Sequence, residues 1–377
     1  MTEVVIVGYA RSPFHFAGKG GLARVRPDDL AAATVRALIE RTGVTPADIE
    51  DLILGCAFPE GEQGLNLGRL VALIAGLPLS VAGATVNRFC GSSMQAIHNA
   101  AGAIKMGAGQ AFICAGVESM SRVPMLGFNP MPNPELAEHS EAYIGMGTTA
   151  ENLAQKYKIS RQEQQALAVE SQRRAAAARQ AGRFKDEIVP IAAGKETIAE
   201  DGCIRPDTTE AALDALAPAF DAKGTVTAGT ASPLTDGAAA TLVVSAEYAK
   251  AHGLKPLARI RAIAVSGCAP EIMGIGPVEA TKKALTRAGL KLADIDLIEL
   301  NEAFAAQAIA VARELKLDFA KTNIDGGAIA LGHPLGATGA RITGKAAALL
   351  KREGKQFALA TQCIGGGQGI ATVLEAV

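Results

Sequence analysis

The chain has 377 residues, nearly half of them hydrophobic, with few aromatics and no Trp, so it can bury an ample core built from Ala, Val, Ile and Leu. Its formal net charge of −1 argues against nucleic acid or a membrane surface as the main partner, and any anionic ligand has to be held by local groups. The longest apolar stretch, 71–86, is broken by Gly76, Pro78, Ser80 and Gly83 and is too short for a bilayer span, so no membrane insertion is expected.

In chain order, VVIVG at 4–8 reads as a buried strand that begins almost at once; it leaves no room for a signal peptide, and a cytoplasmic protein is expected. Residues 27–42 read as a helix, with Pro27 at its start and Gly43 after its end. Strand 52–54 and helix 65–74 follow. Next comes VNRFCGSSM at 86–94, which sets Cys90 directly before a Gly-Ser-Ser turn and an apolar helix running to Met106. A thiol at a helix start faces free N–H groups and the positive end of the helix dipole, which predicts a depressed pKa and a reactive thiolate. A free cysteine is more often a small buried apolar residue, but the place of Cys90 between Phe89 and Gly91 favours the reactive reading. The six cysteines are scattered, without a C-x-x-C pair, which fits a reduced compartment and neither a disulfide framework nor a metal site.

Strands alternating with helices imply an α/β fold with a mainly parallel sheet. The chain also repeats itself. At a shift of 246, Arg41, Gly43, Ala47-Asp48-Ile49, Leu54 and Ala57-Phe58 fall on Arg287, Gly289, Ala293-Asp294-Ile295, Leu300 and Ala303-Phe304. At a shift of 245, Gly91, Ala101, Gly109, Phe112 and Ala115 meet Gly336, Ala346, Gly354, Phe357 and Ala360. Two similar halves are expected, at 1–119 plus 235–256 and at 257–377. The segment 120–234 is expected to be an inserted loop domain, with a helix from Ser160 to Gln180 opened by a Ser160/Glu163 capping box.

Five stretches carry the chemistry: VNRFCGSSMQA, TAGTASPLTDGAAA, NEAFAAQA, GGAIALGHPLGATGAR and CIGGGQG. In this order they resemble the thiolase family from the first strand to the last residue, and within it the degradative 3-ketoacyl-CoA thiolases. The resemblance implies two duplicated βαβαβαββ halves forming a five-layered α-β-α-β-α core. It implies an acyltransferase that splits 3-ketoacyl-CoA with coenzyme A into acetyl-CoA and a shortened acyl-CoA, as in fatty-acid β-oxidation. No cofactor is implied beyond coenzyme A as substrate. A homodimer or homotetramer is expected by the same resemblance, with a hydratase/dehydrogenase subunit as a possible companion.

By resemblance, Cys90 carries the acyl group as a thioester. His333 activates it and helps to hold the thioester oxygen, and Cys363 moves the proton at the acetyl methyl group. The N–H groups of Cys90 and Gly365 form one oxyanion hole. Asn301 anchors a water in the second, alongside His333, and Glu302 orients that network. On residue type alone, Asn301 also reads as a helix cap and His333 as a structural histidine. Coenzyme A is assigned to Arg205, Phe220, Ser232, Met146, Met273, Ala303 and Phe304. Gly145-Met146 stands where biosynthetic acetoacetyl-CoA thiolases carry His-Met, which leans toward longer acyl chains. Under the repeat, Cys90 aligns with Leu335, His333 with Arg88, Cys363 with Glu118 and Asn301 with Gly55, so a symmetric scaffold is expected to carry asymmetric chemistry. Two other motifs are rejected. Gly339 to Lys345 resembles a P-loop, but Ala346 replaces the Ser/Thr that would hold magnesium. Gly107-Ala108-Gly109 lacks the third glycine of a dinucleotide fingerprint.

Overall fold

The computed structural model describes residues 2–377. In the first half, β1 (Val4–Arg11) and the short β2 (His15–Phe16) lead to α1 (Pro27–Thr42), β3 (Asp51–Gly55), α2 (Leu67–Ile74), β4 (Ala82–Val86), α3 (Ser92–Lys105) and β5 (Ala111–Ser119). The chain then leaves the sheet. It forms α4 (Pro134–His139), α5 (Met146–Lys156), α6 (Arg161–Gln180), the hairpin β6 (Ile191–Ala193) and β7 (Glu196–Ile198), and α7 (Glu210–Asp214). It returns as β8 (Thr235–Ser245), followed by α8 (Ala246–Ala251). The second half comprises β9 (Ala258–Gly267), α9 (Gly276–Ala288), β10 (Leu297–Leu300), α10 (Ala305–Leu315), α11 (Ala328–Leu331), α12 (Leu335–Glu353), β11 (Phe357–Ile364) and β12 (Gln368–Glu375).

The repeat is visible in backbone geometry. α1 and α9 each carry Pro in the first turn and end on a left-handed glycine, Gly43 at φ 68° and Gly289 at φ 70°. The strand order is β10-β11-β12-β9-β1-β8-β5-β3-β4, with β2 beside β8. The sheet is not mainly parallel as expected: β3–β4, β3–β5 and β10–β11 are parallel, while the other pairs are antiparallel. Across the β1–β9 junction only Val5 pairs with Arg259 and Ile6 with Ala258. On either side the strands form two faces that enclose α3 and α12. Met94, Ile97, Ile342 and Leu350 of these helices pack with Ile6 and Val243 from one side and with Ala360 and Ile370 from the other. Outside lie α1 and α2 on the first sheet, and α9 and α10 on the second. These are the five layers.

The halves differ in one strand. Where β4 pairs with β3 in the first half, the second has a single bridge between Ile298 and Thr322. Asn323, at φ 50°, explains it: its side chain accepts the Leu300 N–H at 2.9 Å and donates to the Leu300 carbonyl at 2.8 Å. One carboxamide thus does the work of a ladder rung. The halves also differ after the fourth strand. β11 turns into β12 through 365–367, whereas β5 and β8, equally antiparallel neighbours, are separated by the whole segment 120–234. α6 starts with the Ser160/Glu163 capping box.

That segment is tied to β1 through a buried cation. Arg11, fully buried, donates to Glu187 at 2.8 Å and to both Asp201 oxygens at 2.7 Å. Arg11→Met would leave two carboxylates without their guanidinium in a dry interior. A loss of about 3–5 kcal/mol is expected by chemical denaturation; a loss below about 1 kcal/mol would show that water reaches the pair.

Candidate active site

Cys90 sits on a constrained turn before α3, whose N-cap, Gly91, has no side-chain cap. Phe89 takes φ 42°, a left-handed conformation that a non-glycine residue adopts at an energetic cost. The turn is held from both sides. Asn87 Oδ1 accepts the Phe89 N–H at 2.8 Å, and Ser92 Oγ accepts the Arg88 N–H at 2.9 Å while donating to the Phe89 carbonyl at 2.6 Å. The Gln362 carboxamide donates to the Cys90 carbonyl, tethering the turn to β11 one residue before Cys363. Backbone N–H groups of Gly365 and of Cys90 itself hydrogen-bond the Cys90 thiol, and a charge on Cys90 raises the Cys363 pKa.

The helix-start reading predicts a depressed Cys90 pKa, and the structure gives the opposite. Burial pushes the thiol up to about 11; the two N–H groups offset only part of this, and the Glu118 carboxylate adds to the rise. Taking a thiolate out of water costs more than the two hydrogen bonds return. Cys363 is raised well above the ordinary thiol range by burial and then by Cys90. His333 moves the other way, down to about 3, through burial and then the Arg341 charge. The resting site therefore holds neutral thiols and a neutral imidazole.

His333 lies between α11 and α12, after Gly332 at φ 102°, and its N–H donates to Thr235 Oγ1 at 3.1 Å. Its Nδ1 is 2.6 Å from Thr338 Oγ1, and its Nε2 is 3.3 Å from Asn301 Nδ2. Asn301 is not a helix cap: the N-cap of α10 is Phe304, and the Asn301 N–H donates to the Thr361 carbonyl at 3.0 Å. Asn301 and Cys363 thus stand toward the C-terminal ends of the adjacent parallel strands β10 and β11. Cys90 and His333 stand at the starts of α3 and α12. These helices touch near their N-termini, where the Ala340 N–H donates to Ser93 Oγ at 2.8 Å and a Cβ on Gly339 would fall 2.2 Å from the Met94 nitrogen. Helix starts and strand ends from both halves meet there.

Glu302, expected to orient the Asn301 network, touches neither Asn301 nor His333. Its carboxylate accepts from Ser171 Oγ and Asn323 Nδ2, both at 2.7 Å, and from the Ile329 N–H at 3.3 Å. Successive residues of extended backbone face opposite sides, so Asn301 turns inward while Glu302 clamps α6. A cleft of about 460 Å³ between α6 and α10 reaches Glu302, and its lining includes none of Cys90, His333 or Cys363.

Met146, Met273, Ala303 and Phe304 share one apolar cluster with Cys363. The Phe220 ring meets Phe304 edge-on with centroids 5.8 Å apart, and the Ser232 N–H donates to the Ala303 carbonyl at 2.9 Å. Six of the seven residues assigned to coenzyme A therefore connect to the second cysteine. Arg205 is tied elsewhere, its N–H donating to Gln172 at 2.7 Å, and its Nε is buried without a protein partner. Lys345, the lysine of the P-loop-like run, lies 3.0 Å from Glu187 and 2.8 Å from Asp325, which leaves no cation for a phosphate.

Three residues near the site escaped the sequence reading: Thr338, Gln362 and Glu118. Glu118, fully buried, accepts from the N–H groups of Ala57 (2.8 Å), Phe58 (3.2 Å) and Gly336 (2.9 Å) and from Gln63 Nε2 (2.8 Å). It thereby pins the start of α12 to the first half. The signal was a lone carboxylate inside AFICAGVES, at the repeat position of Cys363.

The thiolase N-terminal domain profile matches residues 4–247 and the thiolase C-terminal domain profile residues 254–376. The chain belongs to the thiolase family. It is 51% identical to a 3-ketoacyl-CoA thiolase of Bacillus subtilis over the full length of both chains. It is 52% identical to a 3-ketoacyl-CoA thiolase of Acinetobacter baumannii, covering all of this chain and 98% of that one. Human mitochondrial 3-ketoacyl-CoA thiolase, solved in complex with CoA, superposes with a TM-score of 0.93 at 42% identity, covering all of this chain and 98% of that one. Among the described residues no helix is long and apolar enough to cross a membrane.

Proposed function

We propose that this thiolase cleaves 3-ketoacyl-CoA with coenzyme A, giving acetyl-CoA and an acyl-CoA two carbons shorter. The observation that carries the reading is the tether of the Cys90 carbonyl to Gln362, the neighbour of Cys363, with the N–H groups of Cys90 and Gly365 hydrogen-bonding the Cys90 thiol, in a chain about half identical over its full length to 3-ketoacyl-CoA thiolases. His333 Nε2 takes the Cys90 proton as the sulfur attacks the 3-keto carbon. The N–H groups of Cys90 and Gly365 hold the resulting oxyanion. Collapse breaks the C2–C3 bond, and the departing enolate oxygen is held on the His333 and Asn301 side. Cys363 delivers a proton to C2, which releases acetyl-CoA. Coenzyme A then attacks the Cys90 thioester, giving its thiol proton to the Cys363 thiolate, and the Cys90 sulfur leaves and is reprotonated from His333. Proton and electron pairs balance within the protein and its two substrates, so coenzyme A serves as substrate with no metal or redox cofactor.

The apolar cluster around Cys363 would receive the acyl and pantetheine chains, with Phe220, Ser232 and Phe304 toward coenzyme A and Arg205 toward its phosphates. β4 is an edge strand, and Leu65 and Leu79 near it are 88% and 80% exposed, which supports assembly into a dimer or tetramer through this edge. Six free thiols suit the reduced cytoplasm. A hydratase/dehydrogenase subunit is a further partner suggested by resemblance alone.

The test is thiolysis across acyl chains of four to sixteen carbons. Turnover is expected on chains longer than four carbons. Activity confined to acetoacetyl-CoA would assign the protein to the biosynthetic branch, and no thiolysis of any 3-ketoacyl-CoA would overturn the proposal.

A further inference from the structure

We propose that Thr338 is the positioning residue that fixes the tautomer of His333, placing the ring proton on Nδ1 and leaving the Nε2 lone pair free toward the substrate side. The inference rests on the reading of His333 as the base and extends it to a residue that has no assigned role. Five polar atoms determine it. His333 Nδ1 lies 2.6 Å from Thr338 Oγ1, and Thr338 Oγ1 lies 3.2 Å from the Pro334 carbonyl. A hydroxyl has a single proton to donate. Threonine in a helix commonly donates to the carbonyl four residues back, and Pro334 is that residue for Thr338 at the start of α12. With its proton on Pro334, Oγ1 is an acceptor, and Nδ1 must be the donor. In a neutral imidazole Nε2 then bears the lone pair, which suits its 3.3 Å approach to the Asn301 NH₂ group.

Burial makes the arrangement persistent. Thr338 is fully buried and His333 is 5% exposed, so no bulk water competes for either ring nitrogen. The partner is a hydroxyl, whereas many catalytic histidines are oriented by a carboxylate. A hydroxyl orients the ring without compensating a positive charge on it, and Arg341, one turn further along α12, adds a repulsive charge. His333 is thus set up to rest neutral beside a neutral Cys90 thiol and to take the proton only as the sulfur attacks.

The tautomer can be read by nitrogen-15 NMR of histidine-labelled enzyme, with His333→Asn identifying the His333 signals. A protonated Nδ1 and a bare Nε2 are expected at neutral pH; the reverse would overturn the proposal. Thr338→Val is expected to lower kcat about 10²-fold with KM for coenzyme A unchanged, and to lose the Nδ1-protonated signature. Thr338→Ser should restore both. Full activity in Thr338→Val, or failure of the Ser variant to recover the tautomer in a folded protein, would also overturn it. The wild-type spectrum is independent of turnover, so a correct tautomer in an enzyme without thiolysis would sink the functional reading and leave the tautomer assignment standing.

Discussion

Cys90→Ala is expected to lower thiolysis by about 10⁴-fold or more, a barrier increase of roughly 5.5 kcal/mol, while the protein stays folded. The size follows from covalent chemistry: without the sulfur no acyl-enzyme forms, and coenzyme A would have to attack a ketone that nothing has activated. The cost to stability should be about 1 kcal/mol, since a small buried side chain is exchanged for a slightly smaller one. Mass spectrometry after mixing with a 3-ketoacyl-CoA should show an acyl adduct on the wild type and none on the variant. A retained adduct would place the nucleophile elsewhere. The pH profile gives a second readout. With the Cys90 thiol pushed up to about 11 and His333 down to about 3, the base form of His333 persists as pH falls from 8 to 5. Thiolysis should therefore show no acidic limb near the ordinary histidine value of about 6.5. A limb there would mean that substrate binding rebuilds the electrostatics of the site.

Cys363→Ala separates the two thiols. Cys90 keeps its oxyanion donors and its imidazole, so transfer of an acyl group from a simple acyl-CoA to Cys90 should continue. The C–C bond step loses its proton donor, and thiolysis should fall by about 10²–10⁴-fold. Acyl adducts from acyl-CoA in both wild type and Cys363→Ala, with cleavage in wild type alone, is the expected pattern. Equal loss of acylation in the two cysteine variants would show that the roles are misassigned. Because Cys363 is fully buried in the apolar cluster with Met146 and Phe304, Cys363→Ser serves as a control of similar volume. It should be nearly as slow, since a hydroxyl is a far weaker acid than a thiol.

Much of the fold was legible because it depends on local rules. Pro27 and Gly43 mark the ends of α1, and the Ser160/Glu163 pair marks the start of α6, since caps and breakers act within a few residues. The internal repeat showed in glycine and alanine positions because close helix crossings tolerate only small side chains, as Gly339 against Met94 illustrates. The lost strand near Thr322 was not legible, since it depends on Asn323 folding back onto Leu300. Glu302 was misplaced for a similar reason: adjacency to Asn301 in sequence says nothing of the face a side chain takes. Thr338 and Gln362 went unread because a threonine inside a helix and a glutamine inside a strand look ordinary until their partners are known.

The amino-acid sequence by itself determined the doubled α/β scaffold, the insertion between its fourth and fifth strands, and the identities of the two cysteines, the histidine and the asparagine. The scaffold and the insertion follow from periodicity and small-residue spacing, and the four site residues from motifs that resemble the thiolase family; all are properties of short stretches of chain. Only the tertiary structure decided the protonation of the site. Burial neutralises thiols and imidazole that the sequence presents as an activated set, and the contacts at His333 come from the start of its own helix and the end of a neighbouring strand. Desolvation is set by everything packed around a group, and no short stretch of sequence carries that information.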